Sequence, residues 1–340
     1  MRNIFFVISS GSIYRRVLPC IDQIEDKSSV LVIAPNESTY KFFTNYTPFN
    51  TIQLKVNPNL ITKGTWYKAL SNTIKSKYEY HKLFSDIKDA NIHFFSTGNA
   101  IVMFSYLQKL AKKNKLFFYS SYHEINDEIK ETSKKSTLMR WLIKVLLGFD
   151  AEVLNECGIV HCSIGDKFFK KNNVTATYKE FDTSIYKKYT KKISKLEGKK
   201  VLVLWSDLVT EGRVDEIMFR QQGNKLIDIL DKVYPGQYII KSHPNMSNLY
   251  GRMANAPSLD SAIPSQFLMG HPWEIVIGDC TAALVFPEEQ NLQDTKLIEM
   301  IDILQFKNEK VKKDMKSFLT SWNNKLLFPK TFEEFEEMIK

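Results

Sequence analysis

Metal and redox signatures are scarce in this chain. It has only four cysteines, Cys20, Cys157, Cys162 and Cys280, and no two of them form a CxxC pair. Cys157 and Cys162 bracket Gly158 to His161, too few converging ligands for a structural zinc, which takes four. Reduced, buried thiols in a cytoplasmic protein are the expectation. No apolar run reaches the roughly 18 residues that would span a bilayer. The first twelve residues are too short for a secretory signal and lack a small-residue cleavage site, so they read as an opening strand. Neither GxGxxG nor GxxxxGK[ST] occurs, which argues against nicotinamide enzymes and P-loop NTPases. With no RGG tract, zinc-finger spacing or RNA-recognition aromatic motif, nucleic acid is not an expected partner.

What is present fits an ordinary globular α/β protein. At 340 residues, 44% hydrophobic and 25% charged, the chain is long enough for two cores. The formal charge of +9 suits an anionic partner, whether a phospholipid surface or a phosphate-bearing substrate. Lysines scattered over exposed helix faces account for it equally well. Residues 138–149 form an apolar stretch carrying Arg140, Trp141 and Lys144. It reads as an amphipathic core helix, or as a segment lying on a membrane surface.

Short apolar runs alternate with helical stretches along the first half. Strands are expected at 3–9, 29–35, 49–56, 91–97 and 115–121. Helices are expected between them, including a long one over 66–90 and another over 99–113. The Lys-rich stretch 186–200 reads as a linker. Beyond it the pattern resumes with strands at 200–206, 237–242 and 273–279, and with helices at 214–233, 291–304 and 309–321. Thr331 followed by Glu334 is a capping box that starts a last short helix. Continuous apolar runs between helices imply parallel sheets covered on both faces.

Ligands of such sheets bind at the carboxyl ends of the strands, so the residues just past each strand carry the functional argument. After the strand at 200–206, Glu211 and Gly212 stand on a strand-to-helix loop, a suitable place for a general base or for a solvated acid. The strand at 237–242 leads into Lys241, His243 and Pro244. Lys241 and His243 are two apart, so in an extended segment they share a face; both donate to anionic oxygens, and proline limits the entropy of the turn. The strand at 273–279 leads into Cys280 and Thr281 and then small residues, expected to open a helix whose N–H groups cradle an anion. Ser265 and Gln266 lie on a loop upstream, and Gln266 suits a ribose or base edge. In the first half, Ser10 and Gly11 follow one strand and His123 and Glu124 another, as candidates for the acceptor side.

Taken in order, Leu-Val-Thr-Glu-Gly (208–212), Ile-Ile-Lys-Ser-His-Pro-Asn (239–245), Ile-Pro-Ser-Gln-Phe-Leu-Met (263–269) and Val-Ile-Gly-Asp-Cys-Thr-Ala-Ala-Leu (276–284) resemble the signature series of bacterial CMP-sialic acid transferases. The lipooligosaccharide sialyltransferases are the nearer resemblance and the capsule polysialyltransferases the more distant. It is strongest over about 200–290. It implies a GT-B fold, with two Rossmann-like domains whose parallel sheets face one cleft. The acceptor-side domain would occupy 1–190 and the CMP-donor domain 198–325, with a helix at 326–340 packing back on the first. It implies Glu211 as general base, His243 and Pro244 as the motif that meets the donor phosphate, and Cys280 with Thr281 in place of a phosphate-binding serine pair. Gln266 falls where those enzymes carry an acid near the ribose. Thr210, Gln266 and Cys280 depart from the pattern and point to a divergent subfamily, whose donor would be CMP-linked sialic, pseudaminic or legionaminic acid.

A CMP-sugar needs no metal to bridge a diphosphate, and the sequence has no DxD motif, so neither metal nor cofactor is expected. The acceptor would be a surface oligosaccharide, free or lipid-linked, reached by a cytoplasmic enzyme that touches the inner membrane peripherally. Two other readings stay open: a GT-B transferase using CDP-glycerol or a UDP-sugar, and a non-catalytic nucleotide-binding or membrane-scaffolding protein.

Overall fold

Val-Leu-Val-Ile-Ala at Val30–Ala34 and Val-Leu-Val-Leu-Trp at Val201–Trp205 are buried along their whole length. Strands that bury both faces belong in parallel sheets shielded on each side, and two such sheets form. The computed structural model describes residues 2–7, 17–55, 66–96, 113–121, 159–164, 176–177, 193–243, 251–284, 292 and 294–340. The chain divides into two units, Met1–Asp182 and Thr183–Lys340.

The first unit carries a seven-stranded sheet made of β1 (Arg2–Val7), β2 (Val30–Ala34), β3 (Asn50–Gln53), β4 (Ala90–Ser96), β5 (Lys115–Ser121), β6 (Ile159–Ile164) and β7 (Ala176–Thr177). Its order is β3-β2-β1-β4-β5-β6-β7, and every pair is parallel. Five of these strands were expected. β6 and β7 were not, because Ile-Val-His-Cys-Ser-Ile mixes polar residues into a short apolar run and β7 has only two residues. Three described helices accompany the sheet: α1 (Leu18–Asp22), α2 (Glu37–Tyr46) and α3 (Trp66–Phe84). Asn36 caps α2 by accepting from the Thr39 N–H. The expected long helix ends at Phe84 rather than near 90, where Asp89 turns with a positive φ of 57° into β4. The expected helix at 99–113 falls almost entirely outside the described residues, as does the segment at 138–149.

The second unit carries β8 (Val201–Trp205), β9 (Tyr238–Ser242), β10 (Ile275–Gly278) and β11 (Lys296–Glu299) in the parallel order β11-β10-β8-β9. Its helices are α4 (Glu216–Val233), α5 (Ser265–Leu268), α6 (Glu309–Trp322) and α7 (Phe332–Ile339). The Asp215 side chain caps α4 by accepting from the Ile217 and Met218 N–H groups. The capping box of α7 forms: Thr331 Oγ1 accepts from the Glu334 N–H at 3.1 Å, and Glu334 reaches back to the Lys330 N–H at 2.7 Å.

Two expectations for this unit change. Residues 291–304 were expected to be helical. Instead Lys296–Glu299 is an edge strand, followed by a single 3-10 turn at Met300–Asp302. Two apolar residues, Leu297 and Ile298, do not distinguish strand from helix, and pairing with β10 decides it. The small residues after β10 form only a 3-10 turn, Ala282–Leu284, not a helix. The 326–340 segment makes contacts within the second unit: Lys232 Nζ pairs with Glu336 at 2.6 Å, and Lys225 Nζ lies 5.6 Å from the Phe332 ring centre.

Candidate functional site

The chain leaves β8, runs to β9 on one side of it, then crosses to β10 on the other. The sheet order thus reverses between β8 and β10. At such a switch point the carboxyl ends of adjacent strands open a crevice that in α/β sheets holds the ligand. Register places Leu204 beside Gly278, Gly278 beside Glu299 and Trp205 beside Ser242. Residues 206–213, 242–243, 279–281 and 299 therefore gather along one edge.

The turn after β8 is tied down by its own backbone. The N–H groups of Glu211, Gly212 and Arg213 donate to the carbonyls of Asp207, Val209 and Leu208 at 3.1, 2.9 and 2.9 Å. Gly212 takes φ +70°, which favours a residue without a Cβ. Glu211 projects from this turn with 48% of its side chain exposed and pairs with Arg213 Nε at 2.7 Å. Arg213 Nη1 in turn sits 2.8 Å from Met315 Sδ on α6. An accessible carboxylate on a rigid turn is the arrangement a general base needs.

β9 ends between the two residues the sequence paired. Lys241 and His243 were expected to share a face, but Lys241 is buried at 4% exposure and donates to the Ser242 carbonyl, while His243 is exposed. The His243 N–H still donates to the Trp205 carbonyl at 2.8 Å, which ties it to the end of β8. Burial lowers the Lys241 pKa to about 7, with Asp260 opposing the change. His243 is held below the ordinary histidine value by partial loss of hydration and then by Lys241, against the pull of Asp207 and Glu211. The imidazole therefore lies within electrostatic reach of both the buried lysine and the exposed glutamate.

At the end of β10 the expected anion cradle exists and already holds an anion-forming group of the protein. The Cys280 N–H donates to Glu299 Oε2 at 2.7 Å and the Thr281 N–H to Glu299 Oε1 at 3.3 Å. Gly278 makes this approach feasible, since a Cβ there would lie 2.6 Å from Glu299 Oε1 and 2.7 Å from Thr281 Cγ2. Cys280 takes φ +75°, a conformation that costs a non-glycine residue energy and that the two bonds to Glu299 help to hold. Thr281 Oγ1 accepts from the Ala283 N–H at 3.2 Å, so its own proton can be directed to a ligand oxygen.

Glu299 and Asp279 are both fully buried. Asp279 Oδ1 accepts from the Ser206 N–H at 2.6 Å, while Asp279 Oδ2 and Asp207 Oδ1 are buried without a hydrogen-bond partner. Burial pushes both Asp279 and Glu299 up to about 8; Glu211 adds to the rise at Asp279, and Asp279 adds to it at Glu299. The pair thus retains a proton at neutral pH. Burial, then Glu299 and Asp279, also raises the Cys280 thiol and keeps it neutral. Among the described residues no group of three or more His, Cys, Asp or Glu side chains could hold a metal ion.

Sequence reading missed Asp207, Asp279 and Glu299. The first two could have been found, because aspartates stand just past two strands that turn out to be adjacent. Glu299 could not, since its segment read as a helix. Ser265 and Gln266 open α5, five and six residues after Asp260, the carboxylate that acts on Lys241. Pro244, Ser10, Gly11, His123 and Glu124 lie outside the described residues.

Comparison with protein-family models yields no match, and neither does comparison with curated proteins. Among solved structures, the chain is similar to the glycotransferase of kitacinnamycin at 7% identity and TM-score 0.51, over 99% of this chain and 89% of that one. It is also similar to an alpha/beta-galactoside alpha-2,3-sialyltransferase from the luminous marine bacterium Photobacterium phosphoreum, at 14% identity, over 96% and 98% of the two chains. A TM-score of 0.41 is too low for that second likeness to bear on the fold. The first likeness and the two parallel sheets together establish a two-domain, GT-B-like α/β fold.

Proposed function

We propose that the chain is a metal-independent, inverting glycosyltransferase that moves a nonulosonic acid from its CMP-activated donor to a bacterial surface glycan. The observation that carries this reading is the convergence of Glu211, Lys241, His243 and Thr281 on the switch-point edge of one sheet. Glu211 takes the proton of the acceptor hydroxyl. His243, Lys241 and the Thr281 hydroxyl receive the charge that develops on the departing CMP phosphate. The Cys280 and Thr281 N–H groups are engaged by Glu299, so side-chain donors rather than a backbone cradle carry the phosphate.

CMP is expected to raise the melting temperature of the wild type and not of His243→Ala. Saturation at a hundred times Kd is worth about 2.7 kcal/mol, a shift that a thermal scan resolves easily. CMP-sialic, CMP-pseudaminic and CMP-legionaminic acids, assayed for slow hydrolysis, identify the donor. Absence of any CMP response in the wild type overturns the reading. Larger stabilisation by UDP or CDP would instead favour a GT-B transferase with another donor, an alternative supported by the likeness to a protein described only as a glycotransferase.

Lys241 gives a second test, because its roles in binding and stability oppose each other. Lys241→Met keeps the aliphatic stem in a site that is 4% exposed and removes the cost of burying an ammonium group. Below pH 7 the variant is expected to melt higher than the wild type while binding CMP about tenfold to a hundredfold more weakly, as loss of a charged hydrogen bond implies. Unchanged CMP affinity would remove Lys241 from the phosphate site.

A further inference from the structure

Six large apolar side chains are exposed among the described residues, and three of them, Tyr67, Ile74 and Tyr78, lie on α3. At 100° per residue these positions fall on one stripe, about 16 Å long at the rise of an α-helix. Their exposures are 55, 57 and 74%. The exposed residues Lys68, Lys75 and Lys82, seven apart, border one side of the stripe, and exposed Lys77 borders the other. Ser71 and His81 fill the space between. The helix has one acid, Glu79, which lies outside the stripe, is half-buried and accepts from the Lys55 N–H at 2.5 Å. The opposite face is anchored by Ser76, Tyr80 and Phe84, all buried. The stripe thus lies exposed on the face of α3 away from that anchor.

We propose that this face of α3 docks the protein on an anionic lipid bilayer. Tyrosine suits the headgroup layer, where an apolar ring and a polar hydroxyl both find their surroundings, and Ile74 reaches deeper between the two rings. The lysine stems extend along the apolar border and bring their ammonium groups to lipid phosphates, each adding attraction. The chain's overall charge of +9 acts in the same direction. A second copy of the chain fits this face less well, because a symmetric pairing would set lysine borders near each other with no acid within the stripe to oppose them. The inference does not depend on the sugar donor.

The test is cosedimentation of the full chain with phosphatidylcholine vesicles, with and without phosphatidylglycerol. Wild type is expected to bind only the anionic vesicles. Tyr67→Ser/Ile74→Ser/Tyr78→Ser should weaken that binding at least about tenfold, from the apolar area withdrawn. Lys68→Gln/Lys75→Gln/Lys82→Gln should weaken it about a hundredfold. All the altered side chains are exposed, so both variants should keep the wild-type melting temperature and any hydrolysis of the water-soluble donor. No wild-type binding, equal binding to neutral vesicles, or binding unchanged in both variants overturns the proposal. So does a dimer, seen by sedimentation velocity, that the apolar variant dissolves while vesicles bind neither protein.

Discussion

Glu211→Gln is expected to lower the rate of sugar transfer by about 10²–10⁴-fold, the usual contribution of a general base, with CMP affinity nearly unchanged. Glutamine has the same shape and still accepts a hydrogen bond from Arg213, whose Nε lies 2.7 Å from the carboxylate. The backbone bonds of the 206–213 turn do not involve the side chain, and Gly212 keeps its φ of +70°. The change therefore removes basicity and little else. Single-turnover transfer and CMP titration separate the two quantities. A rate within a factor of a few of wild type would leave Glu211 as a loop acid paired with an arginine. An equal loss of rate and CMP affinity would assign it to donor binding.

Glu299→Ala should cause the largest loss of stability. The side chain is fully buried and is the partner of the Cys280 and Thr281 N–H groups. Each donor left unsatisfied costs about 1–3 kcal/mol, against a total stability of roughly 5–15 kcal/mol for a typical domain. Glu299→Gln, which keeps one amide oxygen for the two donors, should lose less. Denaturant unfolding compares the three proteins. Equal midpoints would mean that the turn stands without Glu299.

The same carboxyls set a pH dependence whose sign follows from proton counting. Asp279 and Glu299 have folded pKa values of about 8, above their ordinary 3.8 and 4.5. Between those limits the folded state binds more protons than the unfolded one. Their contribution is complete below about pH 4, declines as pH rises and is lost through pH 8. Lys241 acts oppositely: its folded pKa of about 7 lies below 10.5, so stability is gained as pH rises through that window. The gap in melting temperature between wild type and Asp279→Asn should therefore move against the wild type from pH 5 to pH 8. Movement in its favour would contradict the burial argument.

β8, β9 and β10 were legible because runs such as Val-Leu-Val-Leu-Trp and Tyr-Ile-Ile are apolar, too short for helices and rich in residues that fill a parallel sheet. The helix starts were legible where side chains cap them, as at Asp215 and Thr331. Residues past strand ends could be singled out from sequence because chain direction fixes which end of a parallel sheet is which. The sequence did not reveal where charge is buried. That Lys241 faces inward depends on β9 ending one residue before His243, and that Glu299 is an internal carboxyl depends on β11 pairing with β10. Both are long-range pairings, and local pattern does not encode them.

Glu211, Lys241, His243 and Thr281 all hang from one four-stranded sheet whose strands pair in unbroken register. Their spacing is set by the pairing of that sheet. Under the transferase reading, the machinery that releases the nucleotide is thus inherited as a block. On that reading, two proteins sharing this sheet would release the same leaving group and could still differ widely in what they decorate.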